Sequence, residues 1–404
     1  MFEIIGKYNK AKIYASTLED SAYKQILNML NQKFVENSNI SIMPDCHSGN
    51  GCVIGFTQTI ENKVVPNLVG CDVGCGMLVT KISKDIGKEF FNKNGLEKLD
   101  KIIHEKIPSG MKHRDIIHPF ANNINLKDII TDVNVNKLLL SIGTLGGGNH
   151  FIEVDIDEEE NYYIVIHSGS RHLGIEVCNY WQNKAIKHCS NNNELRNKII
   201  EQCKKEHREK DIEKELSQIT YEKIPKELSY LEDEDLREYL HDMGIAQEFA
   251  KLNRETMMDI IIKEMGIKKK YIIDEFCTIH NYIDLKNMII RKGSISAQKD
   301  EISIIPMNMR DGSLIVKGKG NKDWNYSLPH GAGRLMSRSQ AKETLNMKEF
   351  KDNMKDVFTT CVNSSTIDES PMAYKPMDEI IKNIQENAEI INIIKPIYNF
   401  KVSE

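Results

Sequence analysis

The chain has 404 residues, with 54 Lys and Arg against 59 Asp and Glu for a net charge of −5; 40% is hydrophobic and 28% charged. These figures describe an ordinary globular chain, long enough to bury a sizeable core in one to three domains, and they exclude disorder as its main state. No apolar run nears the ~18 residues that span a bilayer, residues 1–7 lack a signal-peptide pattern, and the nine cysteines show no disulfide cadence, so a reducing cytoplasm is expected.

Asp20 to Phe34 sets Tyr23, Ile26, Leu27 and Leu30 at helical spacing behind an Asp20/Ser21 cap, which predicts a helix over 20–34. Residues 162–166 form a short buried-strand pattern that ends at His167. From about 191 to 240, mixed-sign charge is dense and glycine scarce, which predicts a solvated helical excursion. Ile245, Phe249, Ala250, Met257 and Ile261 continue a helical stripe over 242–265, and such a stripe reads as core. Residues 334–354 and 377–391 also read as helices. There is no internal repeat, low-complexity tract or Pro/Ser-rich linker. The expected fold class is therefore α+β, a single large domain of mixed sheets over 1–404 with a central helical insertion at about 176–270.

Glycine is unevenly spread: 18 of the 24 fall in 49–76, 143–148, 169–174, 293 and 312–333. Those stretches also hold most of the His, Cys and Asp residues that could do chemistry, and glycine lets backbone approach a ligand closely. Asp72 and Cys75 stand three apart in Gly70-Cys71-Asp72-Val73-Gly74-Cys75-Gly76. They could bite one divalent metal, although a packed cysteine beside glycine fits the same pattern. His150, His167 and His280 each stand where an apolar element meets a polar loop, a place for a ligand, a base or a structural histidine. Compact HExxH and paired CxxC sites are absent, which disfavours a zincin or zinc ribbon; a metal centre distributed over these junctions fits the pattern, and spacing alone does not establish it.

His330 lies in Pro329-His330-Gly331-Ala332-Gly333-Arg334, ahead of Leu335-Met336-Ser337-Arg338, which reads as a helix start. Arg334 and Arg338 would then share one helical face near an N-terminus that favours anions. A neutral imidazole among glycines and arginines suits attack on a phosphate, and a glycine-rich turn with surface arginines accounts for the pattern equally well. Ser168-Gly169-Ser170-Arg171 and Arg291-Lys292-Gly293-Ser294 offer cations, hydroxyls and close backbone to phosphate, or are ordinary basic turns.

In this order, Pro44-Asp45-Cys46-His47-Ser48-Gly49, the Gly70–Gly76 loop, Gly146-Gly147-Gly148-Asn149-His150-Phe151-Ile152-Glu153, His167–Arg171, His280-Asn281, Arg291–Gly293 and His330–Arg334 resemble the RtcB-type RNA-splicing ligases. The resemblance runs from about residue 40 to the C-terminus. It implies an enzyme that joins RNA with a 3′-phosphate or 2′,3′-cyclic phosphate to RNA with a 5′-hydroxyl, in RNA repair or tRNA splicing. GTP and two manganese ions are the implied cofactors, and an archease-type protein is a candidate activator. His330 resembles the nucleophile that takes GMP, and Asp45 the carboxylate that orients it. Asp72, Cys75, His150, His167 and His280 match the metal ligands, with Cys75 bridging. Asn149, His150, Phe151, Ile152, Glu153, His280, Asn281, Pro306, Met307, Asn308, Met309, Ser313, His330, Gly331, Ala332, Gly333 and Lys401 match the guanylate pocket. Arg171 and Arg338 are similar to RNA-phosphate contacts.

Two departures stand out: Pro306-Met307-Asn308-Met309 replaces the commoner Pro-Gly-Ser/Asp-Met, and Pro329 precedes the histidine where a small residue is usual. They point to a divergent bacterial branch and touch the nucleotide pocket. Thiolate and imidazole by softness suit zinc, whereas the resemblance implies manganese. A guanylyltransferase that caps 3′-phosphates without efficient joining, and a weak RNA-end-binding module, are the alternative functions.

Overall fold

A computed structural model describes residues 1–190, 193–217 and 224–402. The fold is α+β and is organised around two sheets. A six-stranded sheet has the order Phe2–Ile5, Lys10–Ile13, Ile40–His47, Ile54–Thr59, Ile289–Lys292, Asn281–Asp284. A seven-stranded sheet has the order Ile272–Ile279, Gly76–Ile82, Tyr162–Ser168, Phe151–Ile156, Ala388–Lys401, Gly312–Gly318, Ile302–Asn308. Neighbours in this larger sheet are all antiparallel. Both of its faces are covered: Ile152 and Val154 face a cluster with Leu99 and Ile261, while Phe151 faces one with Val165 and Ile304. Burial on both sides is why Tyr162–Ser168 is a continuous apolar run and not an alternating one.

The stripe over 242–265 belongs to a 33-residue helix, Asp233–Met265, closed by Gly266 at a left-handed φ of 81°. Its first half packs Tyr239, Ala246 and Phe249 into the core beside the six-stranded sheet. Its second half packs Met257, Ile261 and Met265 under the seven-stranded one. This helix therefore ties the two sheets together. Asp233 to Leu240 is part of it, with Leu236 and Tyr239 buried, so the end of the 191–240 stretch is core and not a solvated excursion. Earlier in that stretch lie helices Asn193–Lys205 and Ile212–Ser217, while 191–192 and 218–223 fall outside the described residues.

Other boundaries shift for local reasons. The first helix is Asp20–Leu30; Glu19 is its N-cap, with no side-chain cap bond, and Tyr23 is exposed while Ala22 and Met29 are buried. The helix expected over 334–354 starts only at Arg338, behind Ser337, whose hydroxyl accepts from Gln340 N. It ends at Thr344, and a second, Met347–Asn353, begins behind the side chain of Asn346. Met377–Ile384 is a helix as expected, but Ala388–Lys401 is a 14-residue strand, because β-branched residues there complete the seven-stranded sheet.

Candidate active site

Four adjacent strands of the larger sheet deliver their ends to one edge. Cys75 precedes Gly76–Ile82, His280 follows Ile272–Ile279, His167 lies in Tyr162–Ser168, and His150 precedes Phe151–Ile156. The register pairs Ile279 with Gly76, and His167 with both Met77 and Phe151, so residues far apart in sequence must converge. Cys75 Sγ lies 3.3 Å from His167 Nε2 and 3.4 Å from His150 Nε2. His280 Nε2 is 2.9 Å from His167 Nε2, and Asp72 Oδ2 is 2.9 Å from His150 Nε2. Two triads result, Cys75/His167/His280 and Asp72/Cys75/His150, with ligand atoms of each within 4.8 Å of one another and Cys75 common to both.

Hydrogen bonding shows that these residues fit a cation. His150 Nδ1 donates to Leu145 O at 2.9 Å, and His167 Nδ1 donates to Asn149 O at 3.1 Å. Each Nε2 then carries a lone pair, and for His150 that lone pair meets a carboxylate oxygen. Acceptor facing acceptor is unfavourable unless a positive charge lies between them, and carbonyl-oriented imidazoles are the usual outer support of metal ligands. Burial pushes the Cys75 thiol well up, with Asp72 adding to it, and drives His167 and His280 well below the usual imidazole range. A bound cation inverts that balance for the thiol.

Beside this edge, His330 follows the short strand Ser327–Pro329. Its Nδ1 donates to Asp45 Oδ2 at 2.6 Å, and the same oxygen accepts from His330 N at 3.1 Å. Asp45 is fully buried in Ile40–His47, whereas the His330 side chain is one-fifth exposed. Glycine closes the pair: a Cβ on Gly333, at φ +73°, would lie 2.9 Å from Asp45 O, and one on Gly293, at φ +59°, would strike Ile54 and lie 3.3 Å from His330 Cε1. The His330 and His280 rings are 4.9 Å apart. His330 lines a cavity of about 200 Å³ together with Asn149, Phe151, Glu153, His167 and Lys401.

The sequence profile described as tRNA-splicing ligase RtcB matches residues 25–137 and 127–402. The chain belongs to the RtcB family. It is 28% identical to the RNA-splicing ligase RtcB of Escherichia coli K12 across 94% of each chain. Similarity to the tRNA-splicing ligases RtcB of Aeropyrum pernix (25%, 84% of this chain and 82% of that one) and Methanococcus maripaludis (24%, 94% and 90%) is lower.

On this RtcB fold the expected pocket residues separate. Pro306, Met307, Asn308 and Met309 line the cavity, as do Gly331, Ala332 and Gly333. Asn308 builds a turn, accepting from Arg310 N and Asp311 N, so the departure at 307–308 has a local structural job. Ile152 points to the opposite face of its strand, into the apolar cluster, and Ser313 is buried beside Pro306. Asn281 accepts from Gly293 N at 2.8 Å and holds that loop, while His150 and His280 lie in the two triads that could hold a metal. Burial raises the Glu153 carboxyl to about 7 against the pull of Asn399 and Lys401.

Arg334 and Arg338 do not share a helical face, because Arg334 bridges Tyr374 before the helix begins. Both guanidinium groups instead converge on the Asp368–Glu369 segment, with Arg338 Nη1 at 3.0 Å from Asp368 Oδ2 and 2.9 Å from Glu369 Oε1. Arg171 sits elsewhere: it donates to Thr144 Oγ1 and Gly110 O and lines a second cavity of about 310 Å³ with Asp72, His150, Lys112 and Lys137. The His/Cys/Asp cluster thus lies between two cavities, His167 facing the first and Asp72 and His150 the second.

The first cavity also holds Arg334, which the sequence offers as an anion-facing arginine, and His47, Glu369 and Tyr374, to which the sequence assigns no role. Sequence reasoning missed Asn253 and Arg254 on the long helix. Asn253 Oδ1 accepts from Gly143 N and Thr144 N, and Arg254 Nη1 donates to Gly74 O and Ser168 O at 2.8 and 2.7 Å. Two adjacent polar residues inside an otherwise apolar stripe were the available signal.

Proposed function

We propose that this RtcB-family chain is an RNA ligase that uses GTP and two manganese ions to join RNA 3′-phosphate or 2′,3′-cyclic phosphate ends to 5′-hydroxyl ends. The observation that carries the proposal is the Asp45–His330 pair beside the histidine–thiol cluster. Asp45 keeps the proton on Nδ1, which leaves Nε2 with the lone pair needed for attack and stabilises the charge the ring acquires. Nε2 attacks the α-phosphorus of GTP, pyrophosphate leaves, and GMP is held on His330. An oxygen of the RNA 3′-phosphate then attacks that phosphorus, restores the imidazole and gives an RNA end capped by GMP. The 5′-hydroxyl attacks the RNA-derived phosphorus, loses its proton, and expels GMP; a cyclic phosphate is first opened by water.

The two triads would hold the ions, whose charge neutralises phosphate oxygens. Glu153, Asn149, Lys401 and the 306–309 segment would surround the nucleotide, and Arg171 would meet RNA phosphate from the second cavity. For Arg338 an RNA-phosphate role requires competition with Asp368 and Glu369. On this proposal residues 1–404 form one ligase domain with a helical insertion at about 176–270, working in the cytoplasm, where nine free cysteines are at home. No helix among the described residues is long and apolar enough to cross a membrane.

The test is incubation with labelled GTP and manganese, followed by RNA of defined ends, with and without an archease-type activator. The expected result is a His330 adduct, then joined RNA that retains a labelled 3′-phosphate at the junction. Capped RNA that never converts would favour the capping enzyme, and joining of 5′-phosphate ends would overturn the mechanism.

A further inference from the structure

Next to the metal cluster is a pair of thiols that the ligation chemistry does not use. Cys71 immediately precedes Asp72 and lines the second cavity, partly buried; Cys178 is buried in the helix His172–Ser190. Their sulfurs are 3.4 Å apart. The approach is built into the chain by Gly174, one helical turn before Cys178. A Cβ there would come within 2.6 Å of Cys71 O and 2.8 Å of Val73 N, so only glycine lets the helix lie against this loop. The Asp72 carboxylate packs directly against Gly169, where a Cβ would meet Asp72 Oδ1 at 2.0 Å, so a shift of the Cys71–Asp72 loop changes where that carboxylate sits.

We infer that Cys71 and Cys178 form an oxidisable dithiol, a modification site for hydroperoxides that governs the position of Asp72. The accessible partner reacts first. The Cys71 sulfur attacks one peroxide oxygen, the O–O bond breaks, and the leaving alkoxide takes a proton to become an alcohol, or water for hydrogen peroxide. Cys71 is then a sulfenic acid. The Cys178 thiol attacks that sulfur, an S–S bond forms, and water leaves. Two thiols and one hydroperoxide yield one disulfide, one alcohol and one water; the sulfurs lose two electrons and the O–O bond gains them.

A disulfide is about 2.05 Å long, so the sulfurs must close by about 1.4 Å. Cys178 sits mid-helix beside fully buried Trp181, so the loop takes up the movement and carries Asp72 with it. Asp72 is the only carboxylate in the two triads, and its displacement loosens the Asp72/Cys75/His150 site. The effect on metal rests on the proposed ligand set, whereas formation of the disulfide does not.

The experiment treats the full-length protein, manganese-loaded and metal-stripped, with stoichiometric hydrogen peroxide, then blocks free thiols and maps the peptides by mass spectrometry. A Cys71–Cys178 cross-link that dithiothreitol reverses is expected, together with manganese affinity about tenfold or more weaker in the oxidised form. In Cys178→Ser no cross-link should form, dimedone should trap a sulfenic acid at Cys71, and GMP labelling should persist without peroxide. The wild-type map stands even if that variant folds poorly. Oxidation of Cys75 ahead of Cys71, or no cross-link between 71 and 178, would overturn the modification site. A cross-linked protein that holds manganese as tightly as the reduced form would overturn its control of Asp72. Failure of the ligase reading would leave the peptide map unchanged.

Discussion

Two groups of histidines meet at this site, and they differ in what holds Nδ1. His150 and His167 give that proton to backbone carbonyls, whereas His330 gives it to the buried carboxylate of Asp45. A neutral carbonyl fixes ring orientation and tautomer, which suits a ligand. A carboxylate also stabilises the positive ring that forms when Nε2 bonds to an electrophile, which suits a nucleophile. Placement follows the same division. The rings of His150 and His167 are buried at strand ends, while His330 stands on a glycine-rich segment with part of its ring open to a cavity. On the proposed roles, the partner of Nδ1 is what separates His150 and His167 from His330.

The sharpest way to break that comparison is to change the partner and leave the ring. His330→Ala should give no GMP adduct with labelled GTP, while manganese content stays at the wild-type level. Asp45→Asn keeps the shape but removes the charge and the tautomer preference, and adduct formation should fall by about 10³- to 10⁴-fold. Equal labelling by Asp45→Asn would show that the carboxylate is only structural. On the ligand side, Cys75→Ala removes the one residue common to both triads. Both manganese ions should be lost together, with labelling falling in parallel and the circular dichroism spectrum unchanged. Retention of one full equivalent would show that Cys75 serves a single ion.

The next effect down tests what supports the ligand group. Arg254 holds Gly74 O and Ser168 O, one residue from Cys75 and one from His167. Arg254→Met should weaken manganese binding by about 10- to 100-fold. It also leaves two buried carbonyls short of a donor, at a cost of about 1–3 kcal/mol in unfolding free energy. Manganese titration and denaturant unfolding on the same sample separate the two. Loss of stability with unchanged affinity would make Arg254 a packing residue alone.

What could be read before the structure follows the range of the interactions. Local signals were legible: the apolar run at 162–166, the stripe at 242–265, and the glycine clusters that mark Asp72, Cys75, His150, His167, His280 and His330. Which of these residues meet was legible only through the family resemblance, because convergence depends on the pairing of four strands separated by up to two hundred residues. The helix expected over 377–391 ends at Ile384, and residues 388–391 belong instead to a strand held by neighbours on both sides. Asn253 and Arg254 stand out in the sequence only as polar residues in an apolar stripe; which distant loops they hold follows from the fold alone. The Asp368–Glu369 segment carries no local motif, and its side-chain ion pairs with Arg334, Arg338 and Lys401 come from tertiary packing.

The smallest expected effect concerns Glu153, which lines the cavity shared by His330 and His167 and shows what burial does to a charge with no metal ligand role. Burial is the leading cause and raises its carboxyl from 4.5 to about 7; the Asn399 side chain and the Lys401 charge pull the other way. Asp155, on the same strand face and fully buried, is raised well above its usual range by burial and by Glu153. Because the folded-state value lies above the unfolded one, protonated Glu153 favours folding. That contribution is complete below about pH 4.5 and is lost as pH climbs through about 7. Glu153→Gln keeps the shape without a titrating group. The Tm of the wild type relative to this variant should therefore fall between pH 4.5 and 7, by about 1 °C for each kcal/mol lost, and then level off. Parallel curves across that window would mean that Lys401 and Asn399 keep Glu153 ionised, and the cavity would then present a fixed negative charge to any nucleotide beside His330.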